Sequence, residues 1–260
     1  EIVDVKFNPV NDTIATASKD GTVKLLSLKG ELLETKVIPR NEDHELRNIS
    51  FSPDGTLMAI ASNDGTVKLW HPGDDVIKVL QRHESGVNRV IFSPCGTKIA
   101  SASRDATVIV WNLDGTIYRT LKGHRSGVYD AEFSPDSQMM ATFSEDGLKI
   151  WHLQEPSPKP LDINDQDDIL VIKFTDNKML ASVTRYQTLQ LWNIDEGKLV
   201  QSQNINEDKE NYINVGRFNA NGSAIAIANL EPKIKLCLLD LDELMNNSRT
   251  WISDYLGLQK

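Results

Sequence analysis

Apolar and polar residues alternate with a period of two along most of this chain, in short runs cut off by turn residues. Segments such as TVKLLSL, TVKLW, TVIVW and LQLW place every second side chain on one apolar face, which is the pattern of half-buried β-strands. The runs recur. A phenylalanine followed by a turn appears as Phe7 (FNPVND), Phe51 (FSPDG), Phe92 (FSPCG), Phe133 (FSPDS), Phe174 (FTDN) and Phe218 (FNANG), at spacings of 44, 41, 41, 41 and 44 residues. After each comes a run of small residues: TIATAS, LMAIAS, KIASAS, MMATFS, MLASVT and SAIAIA. A bulky position follows 18 or 19 residues after each Phe, at Leu26, Trp70, Trp111, Trp151, Trp192 and Cys237.

Each unit therefore predicts four strands. The first ends at the Phe, the second carries the small residues, the third carries the Trp, and the fourth follows a short turn, as in VIKVL, TIYRTL and KLVQSQ. Asp-Gly and Pro-Asp-Gly turns between them suit tight antiparallel hairpins. The expected architecture is all-β.

Several further positions recur in register. Copies three and four carry His83, Asp105 and Trp111, then His124, Asp146 and Trp151, with RHESGV and GHRSGV ahead of the first strand. This set resembles the WD-repeat β-propeller family, in which each repeat supplies one four-stranded antiparallel blade around a central channel. The resemblance spans residues 1–240, as repeats 1–40, 41–81, 82–122, 123–163, 164–206 and 207–240. Six repeats are visible, and a seven-bladed ring would need one unit more.

The resemblance implies a polar clamp in each complete blade. An imidazole from the entering loop bonds the Asp of the turn between the second and third strands, and a Ser or Thr hydroxyl and the indole N–H extend the network. Such a network satisfies polar groups that are costly to bury unpaired. In copy three the hydroxyl is Ser101 or Ser103, and in copy four Thr142 or Ser144. The other copies are incomplete. Asp20 stands without His or Trp, and Asp64 and Trp70 have His44 seven residues before Phe51 instead of nine. Copy five keeps Trp192 but has Tyr186 for Asp, and copy six has Glu231 and Cys237. The same residue types also make a Ser/His/Asp hydrolase triad. A set that recurs at one strand position reads as scaffold instead, and no Gly-x-Ser-x-Gly elbow is present.

With the clamps assigned to structure, the family's binding face remains. The residue before each clamp Asp should project there, at Lys19, Asn63, Arg104, Glu145, Arg185 and Leu230. So should residues at the start of each first strand, at Arg47, Asn88, Tyr129, Leu170, Tyr212 and Asn214. Tyr and Arg are the residue types that dominate binding hot spots. These positions point to a protein or peptide ligand and no catalysis; the alternatives are a purely structural or self-associating scaffold, and a catalytic propeller.

Composition narrows the rest. The 260 residues carry 28 Lys and Arg against 37 Asp and Glu, a net charge of −9, which argues against nucleic-acid or anionic-membrane partners. No apolar run is long enough to span a bilayer. Two cysteines, Cys95 and Cys237, exclude a cysteine-built zinc site and fit a cytoplasmic setting. The acidic run Asp162–Asp168 lacks the Gly and closing Glu of a calcium loop, the five His show no metal-ligand pairing, and no phosphate loop is present, so neither metal nor cofactor is expected.

Residues 241–260 read differently. Leu241, Leu244 and Met245, then Trp251, Ile252, Tyr255 and Leu256, follow helical spacing, with Ser248 as cap and Gly257 as stop. A helical tail is expected from about residue 242. The run DLDELMNNSRTWISDYL resembles the ending of large bacterial, especially cyanobacterial, WD-repeat signalling proteins. That likeness implies a C-terminal sensor or interaction module, with further domains of the same chain upstream.

Overall fold

A computed structural model describes residues 1–39, 45–163, 168–205, 213, 215–219, 222–228, 234–238 and 253–254. It is all-β, with six four-stranded antiparallel propeller blades in sequence order. The first blade contains β1 (Ile2–Phe7), β2 (Thr13–Ser18), β3 (Thr22–Ser27) and β4 (Leu32–Val37). The second contains β5 (Leu46–Phe51), β6 (Met58–Ser62), β7 (Thr66–Trp70) and β8 (Ile77–Gln81). The third runs through β9 (Val87–Phe92), β10 (Lys98–Ser103), β11 (Thr107–Asn112) and β12 (Ile117–Lys122). The fourth has β13 (Val128–Phe133), β14 (Met139–Ser144), β15 (Gly147–His152) and β16 (Leu161–Ile163). The fifth has β17 (Ile169–Phe174), β18 (Met179–Thr184), β19 (Thr188–Asn193) and β20 (Lys198–Asn204), and the sixth β21 (Val215–Phe218), β22 (Ala224–Ala228), β23 (Ile234–Leu238) and β24 (Ser253–Asp254).

The chain divides into two compact units, Glu1–Asp146 with Trp151–Pro160, and Gly147–Ile150 with Leu161–Lys260. In the first unit the inner strands lie side by side, with β1 against β5, β5 against β9 and β9 against β13. The first blade supplies Ala15, Ala17, Val23 and Leu25 to a core that includes Ile49, Phe51 and Trp70 of the second. Small residues on a second strand thus let the neighbouring blade's Phe approach closely. The second unit has its own core, around Val171, Leu189, Leu191, Ile213, Ile225 and Cys237.

Repeat position alone does not set burial. Phe51, Phe92, Phe133 and Phe174 are at most 9% exposed, yet Phe7 at the same register is 68% exposed. Among the described residues of the first unit, none covers the Phe7 ring as a neighbouring blade covers Phe51.

Two local features place functional residues. The first strands of blades one to five each carry a register shift near their start, skipping Val3, Arg47, Asn88, Tyr129 and Leu170. A bulge of this kind re-aims the extra residue's side chain. The turn between second and third strands needs a left-handed residue. Gly21, Gly65 and Gly147 occupy it in three blades, and Ala106 (φ 67°) and Gln187 (φ 64°) adopt the same conformation in the third and fifth.

The expectation of a helical tail meets one described fragment. Ser253 and Asp254 pair with Cys237 and Leu236 as a fourth strand, so these two residues are extended where a helix was expected. The open edge of β23 offers backbone groups that a strand satisfies and a helix cannot. The remainder of 241–260 lies outside the described residues.

Candidate functional site

The third blade holds a complete polar relay. His83 Nδ1 lies 2.8 Å from Asp105 Oδ2 and His83 Nε2 lies 2.8 Å from Ser101 Oγ. Trp111 Nε1 donates to the same Ser101 oxygen at 2.8 Å. An indole N–H only donates and an ionised carboxylate only accepts, so the bonds at the two ends of the relay are fixed in direction. Trp111 donates to Ser101 and His83 Nδ1–H to Asp105, and the contact of His83 Nε2 with Ser101 satisfies the second ring nitrogen. The hydroxyl in the relay is that of Ser101. Ser103 instead donates to the carbonyls of Ser85 and Gly86 and accepts the Asp105 N–H.

The fourth blade repeats the arrangement. His124 Nδ1 is 2.6 Å from Asp146, His124 Nε2 is 2.7 Å from Thr142 Oγ1, and Trp151 Nε1 donates to Thr142 at 2.8 Å. Here Ser144 also reaches the Asp146 carboxylate. Burial pushes both carboxyls up, but the hydrogen bonds outweigh it. His83 and Thr107 hold Asp105 far below the usual carboxylate range, and Ser144 and His124 hold Asp146 at about 2. Ser101 and Thr142 are 0% exposed. Their oxygens are saturated by Trp and His, so no substrate atom reaches them.

The other blades solve the same problem with different residues. In the second, Lys68 Nζ bonds Asp64 Oδ2 at 2.9 Å and Thr66 Oγ1 at 2.5 Å, a buried cation two positions before Trp70. It supplies the N–H donor to the turn Asp that a clamp histidine would give; His44 lies outside the described residues. Trp70 Nε1 turns to the carbonyl of Asp74 at 2.9 Å, since Ile60 stands where Ser101 stands in the third blade. In the fifth, Trp192 Nε1 donates to Ser182 at 2.9 Å, and Ser182 to Gln190 at 2.8 Å. In the first, Asp20 only caps its own turn through the N–H and hydroxyl of Thr22.

A second polar string, which the sequence reading missed, links the inner strands of the first unit. Asp4 Oδ2 accepts from Asn48 Nδ2 at 2.6 Å and from the Ile49 N–H at 3.0 Å. Asn48 Oδ1 accepts the Val90 N–H at 2.9 Å. Arg89 pairs with Asp130, its Nε 2.8 Å from Oδ1. Burial penalises the Arg89 charge, and the carboxylates of Asp130, Asp4 and Glu132 hold it protonated nonetheless. The available signal was a polar residue three positions before Phe in each of the first four copies.

The expected binding-face residues come together in pairs within blades. Lys19 Nζ meets Glu1 at 2.8 Å, Arg104 Nε donates to Asn88 Oδ1 at 3.2 Å, Tyr129 OH donates to Glu145 at 2.6 Å, and Arg185 Nε meets Asp168 at 2.9 Å. Each pair joins the second-to-third-strand turn to the start of the first strand. Arg185, expected to take a ligand carboxylate, is thus engaged by one from its own chain. Arg47 contacts Glu45 at 3.6 Å, and Asn63 packs against Gly86, where a Cβ would come within 2.5 Å of its Oδ1. Leu170 is half-buried and joins the core of the second unit. Tyr212, Asn214 and Leu230 lie outside the described residues.

Asp162 and Asp168, the ends of the acidic run, take Lys149 and Arg185, and residues 164–167 lie outside the described residues. Among the described residues no group of His, Cys, Asp and Glu is placed to hold a metal ion, and no helix is long and apolar enough to cross a membrane. Comparison with family models matches residues 74–112 and 115–152 to the WD domain, G-beta repeat, and residues 5–83 to the anaphase-promoting complex subunit 4 WD40 domain. No curated protein matches the chain.

Proposed function

From a chain that carries WD40 repeats, folded as six four-stranded β-propeller blades, we propose a non-enzymatic module that binds a protein or peptide across the face bearing the paired turn and bulge residues. One observation carries the reading. Bulges at the same position in successive first strands turn Arg47, Asn88 and Tyr129 out of the sheet pattern, beside turn residues that include Arg104 and Glu145. Such a rim keeps a rigid backbone while its side chains vary, which suits recognition, and WD40 propellers commonly serve as interaction modules. Replacing Arg104 by Glu and Tyr129 by Ala tests it. Partner binding is expected to fall in both variants, and unchanged binding of every captured partner would refute the assignment.

The finer reading is a cytoplasmic, C-terminal sensor or interaction module of a larger bacterial signalling protein, with upstream domains of the same chain as its partners. It rests on the likeness of residues 240–256, and sequencing the full reading frame tests it. An upstream NTPase or protease domain would support the sensor role, and the lack of any such domain would end it.

Self-association is a second reading, favoured by the exposed Ile2, Val5, Phe7 and Val10 of the first blade. Sedimentation velocity distinguishes it, since a dimer lost on Phe7→Ser places the interface there.

A further inference from the structure

Two junctions between neighbouring blades of the first unit can be compared residue for residue. Between the second and third blades, the turn residue is Asn63, the residue after the clamp histidine is Glu84, and the bulge residue is Asn88. Between the third and fourth, the same positions hold Arg104, Arg125 and Tyr129. The backbone gathers each trio in the same way. Asn63 lies against Gly86, and Arg104 against Gly127, where a Cβ would sit 3.0 Å from the Arg104 Cα. Gly127 itself stands between Arg125 and Tyr129 in the chain. The scaffold is held constant while its chemistry changes from two amides and an acid to two guanidiniums and a phenol.

The second trio is arranged to receive an anion. Among the described residues, the side chain of Arg104 makes one hydrogen bond, through Nε to Asn88 Oδ1, and Asn88 donates in turn to the Val128 carbonyl at 2.9 Å. That bond orients the guanidinium and leaves its two terminal nitrogens as the edge a carboxylate accepts from in a bidentate pair. Arg125 is exposed and donates its backbone N–H to Asp146 at 3.1 Å. Tyr129 is 46% exposed, with its ring 6.1 Å from that of Phe143 and its hydroxyl bound to Glu145. It is therefore a fixed aromatic wall, and the bond that fixes it also engages the acid of the following turn. On a chain of net charge −9, two neighbouring arginines with these partners mark a site for the opposite charge.

We infer that the junction of the third and fourth blades is a subsite for an acidic peptide, in which Arg104 and Arg125 take a side-chain carboxylate and Tyr129 packs against the neighbouring residue. The inference rests on the binding-face reading above and names its ligand chemistry. The test uses a fluorescein-labelled octapeptide of alternating Gly and Glu, its Gly-Gln counterpart, and a Gly-phosphoserine version, followed by fluorescence anisotropy at physiological ionic strength. The Glu peptide is expected to bind and the Gln peptide not. Arg104→Gln and Arg125→Gln should each weaken binding about tenfold. Arg82→Gln removes an exposed arginine outside the trio and should leave binding unchanged.

Equal binding of the Glu and Gln peptides overturns the inference, as does wild-type affinity in an Arg104→Gln/Arg125→Gln variant of unchanged thermal midpoint. Tight binding of the phosphoserine peptide with none of the Glu peptide overturns the carboxylate assignment in favour of phosphate. If the Glu peptide fails while Arg104→Glu still abolishes capture of a protein partner, the subsite falls and the wider binding-face reading stands. If both fail, both are wrong.

Discussion

Ser101→Ala probes the relay of the third blade at its centre. The substitution removes one oxygen at a site of 0% exposure and leaves almost no cavity. It strips two buried partners at once, since the Trp111 indole N–H loses its acceptor and His83 Nε2 loses its hydrogen-bond partner. Trp111 is 2% exposed and the His83 side chain 0%, so neither regains a bond from water. An unsatisfied buried group costs about 1–3 kcal/mol, so the pair should cost roughly 2–5 kcal/mol. That is a large share of the 5–15 kcal/mol typical of a folded domain. Ser103→Ala should cost about 1 kcal/mol, because the Gly86 carbonyl keeps the Arg104 N–H and Ser85 is only half-buried. Ser101→Thr is the internal control, because the fourth blade runs the same relay through Thr142. Equilibrium urea unfolding, read on the indole N–H resonance of Trp70, reports the first unit alone. Trp111→Phe should couple to Ser101→Ala, the double variant costing about 1–2 kcal/mol less than the sum of the singles. Three results would refute the reasoning: Ser103→Ala costing more than Ser101→Ala, Ser101→Thr costing as much as Ser101→Ala, or additivity with Trp111→Phe.

Three further outcomes are expected. Asp146 is held at about 2, below the value of about 3.9 for an unfolded Asp, so protons favour the unfolded chain. Its stabilisation is complete above about pH 4 and is lost as pH falls through about 2; urea midpoints between pH 7 and pH 2 should fall less steeply in Asp146→Asn than in the wild type. Phe133→Ala should cost about 3–5 kcal/mol and Phe7→Ala about 0.5 kcal/mol despite identical repeat position, because one ring is 3% and the other 68% exposed; comparison of their unfolding midpoints checks this. Cys95 occupies the place that Asp54 and Asp136 hold in equivalent turns; burial pushes its thiol up, but the hydroxyls of Ser137, Ser93 and Thr97 bring it to about 6. Its alkylation by iodoacetamide should therefore rise with a midpoint near 6, and Thr97→Val should move that midpoint upward.

Much of the fold was legible because its causes are local. Alternation assigns each side chain to a face, Gly after Asp specifies a left-handed turn, and Phe ends every first strand from β1 to β21. Ser253 and Asp254 were read as helical because periodicity in a short segment says nothing of an unpaired strand edge elsewhere in the chain. The binding-face positions followed from register, yet their pairing did not. That Arg185 meets Asp168, and that Arg104 is oriented by Asn88, depends on how far each bulge swings its residue toward the adjacent turn.

The sequence by itself determined the repeat, the four-stranded blade and the identity of the complete clamps, since these need only composition at a fixed spacing. The tertiary structure alone decided which hydroxyl closes each relay. Ser101 and Ser103 lie two residues apart on one strand and share a face, and only the docking of His83 and Trp111 distinguishes them. It also decided that Lys68 serves the second blade in place of a histidine, and that Asp4, Asn48, Arg89 and Asp130 join one blade to the next. Those contacts connect residues more than forty positions apart or replace one donor by another of different length. Alternation carries no record of either, because the first are fixed only when separately folded sheets meet and the second only when the second blade's turn brings Asp64 to Lys68.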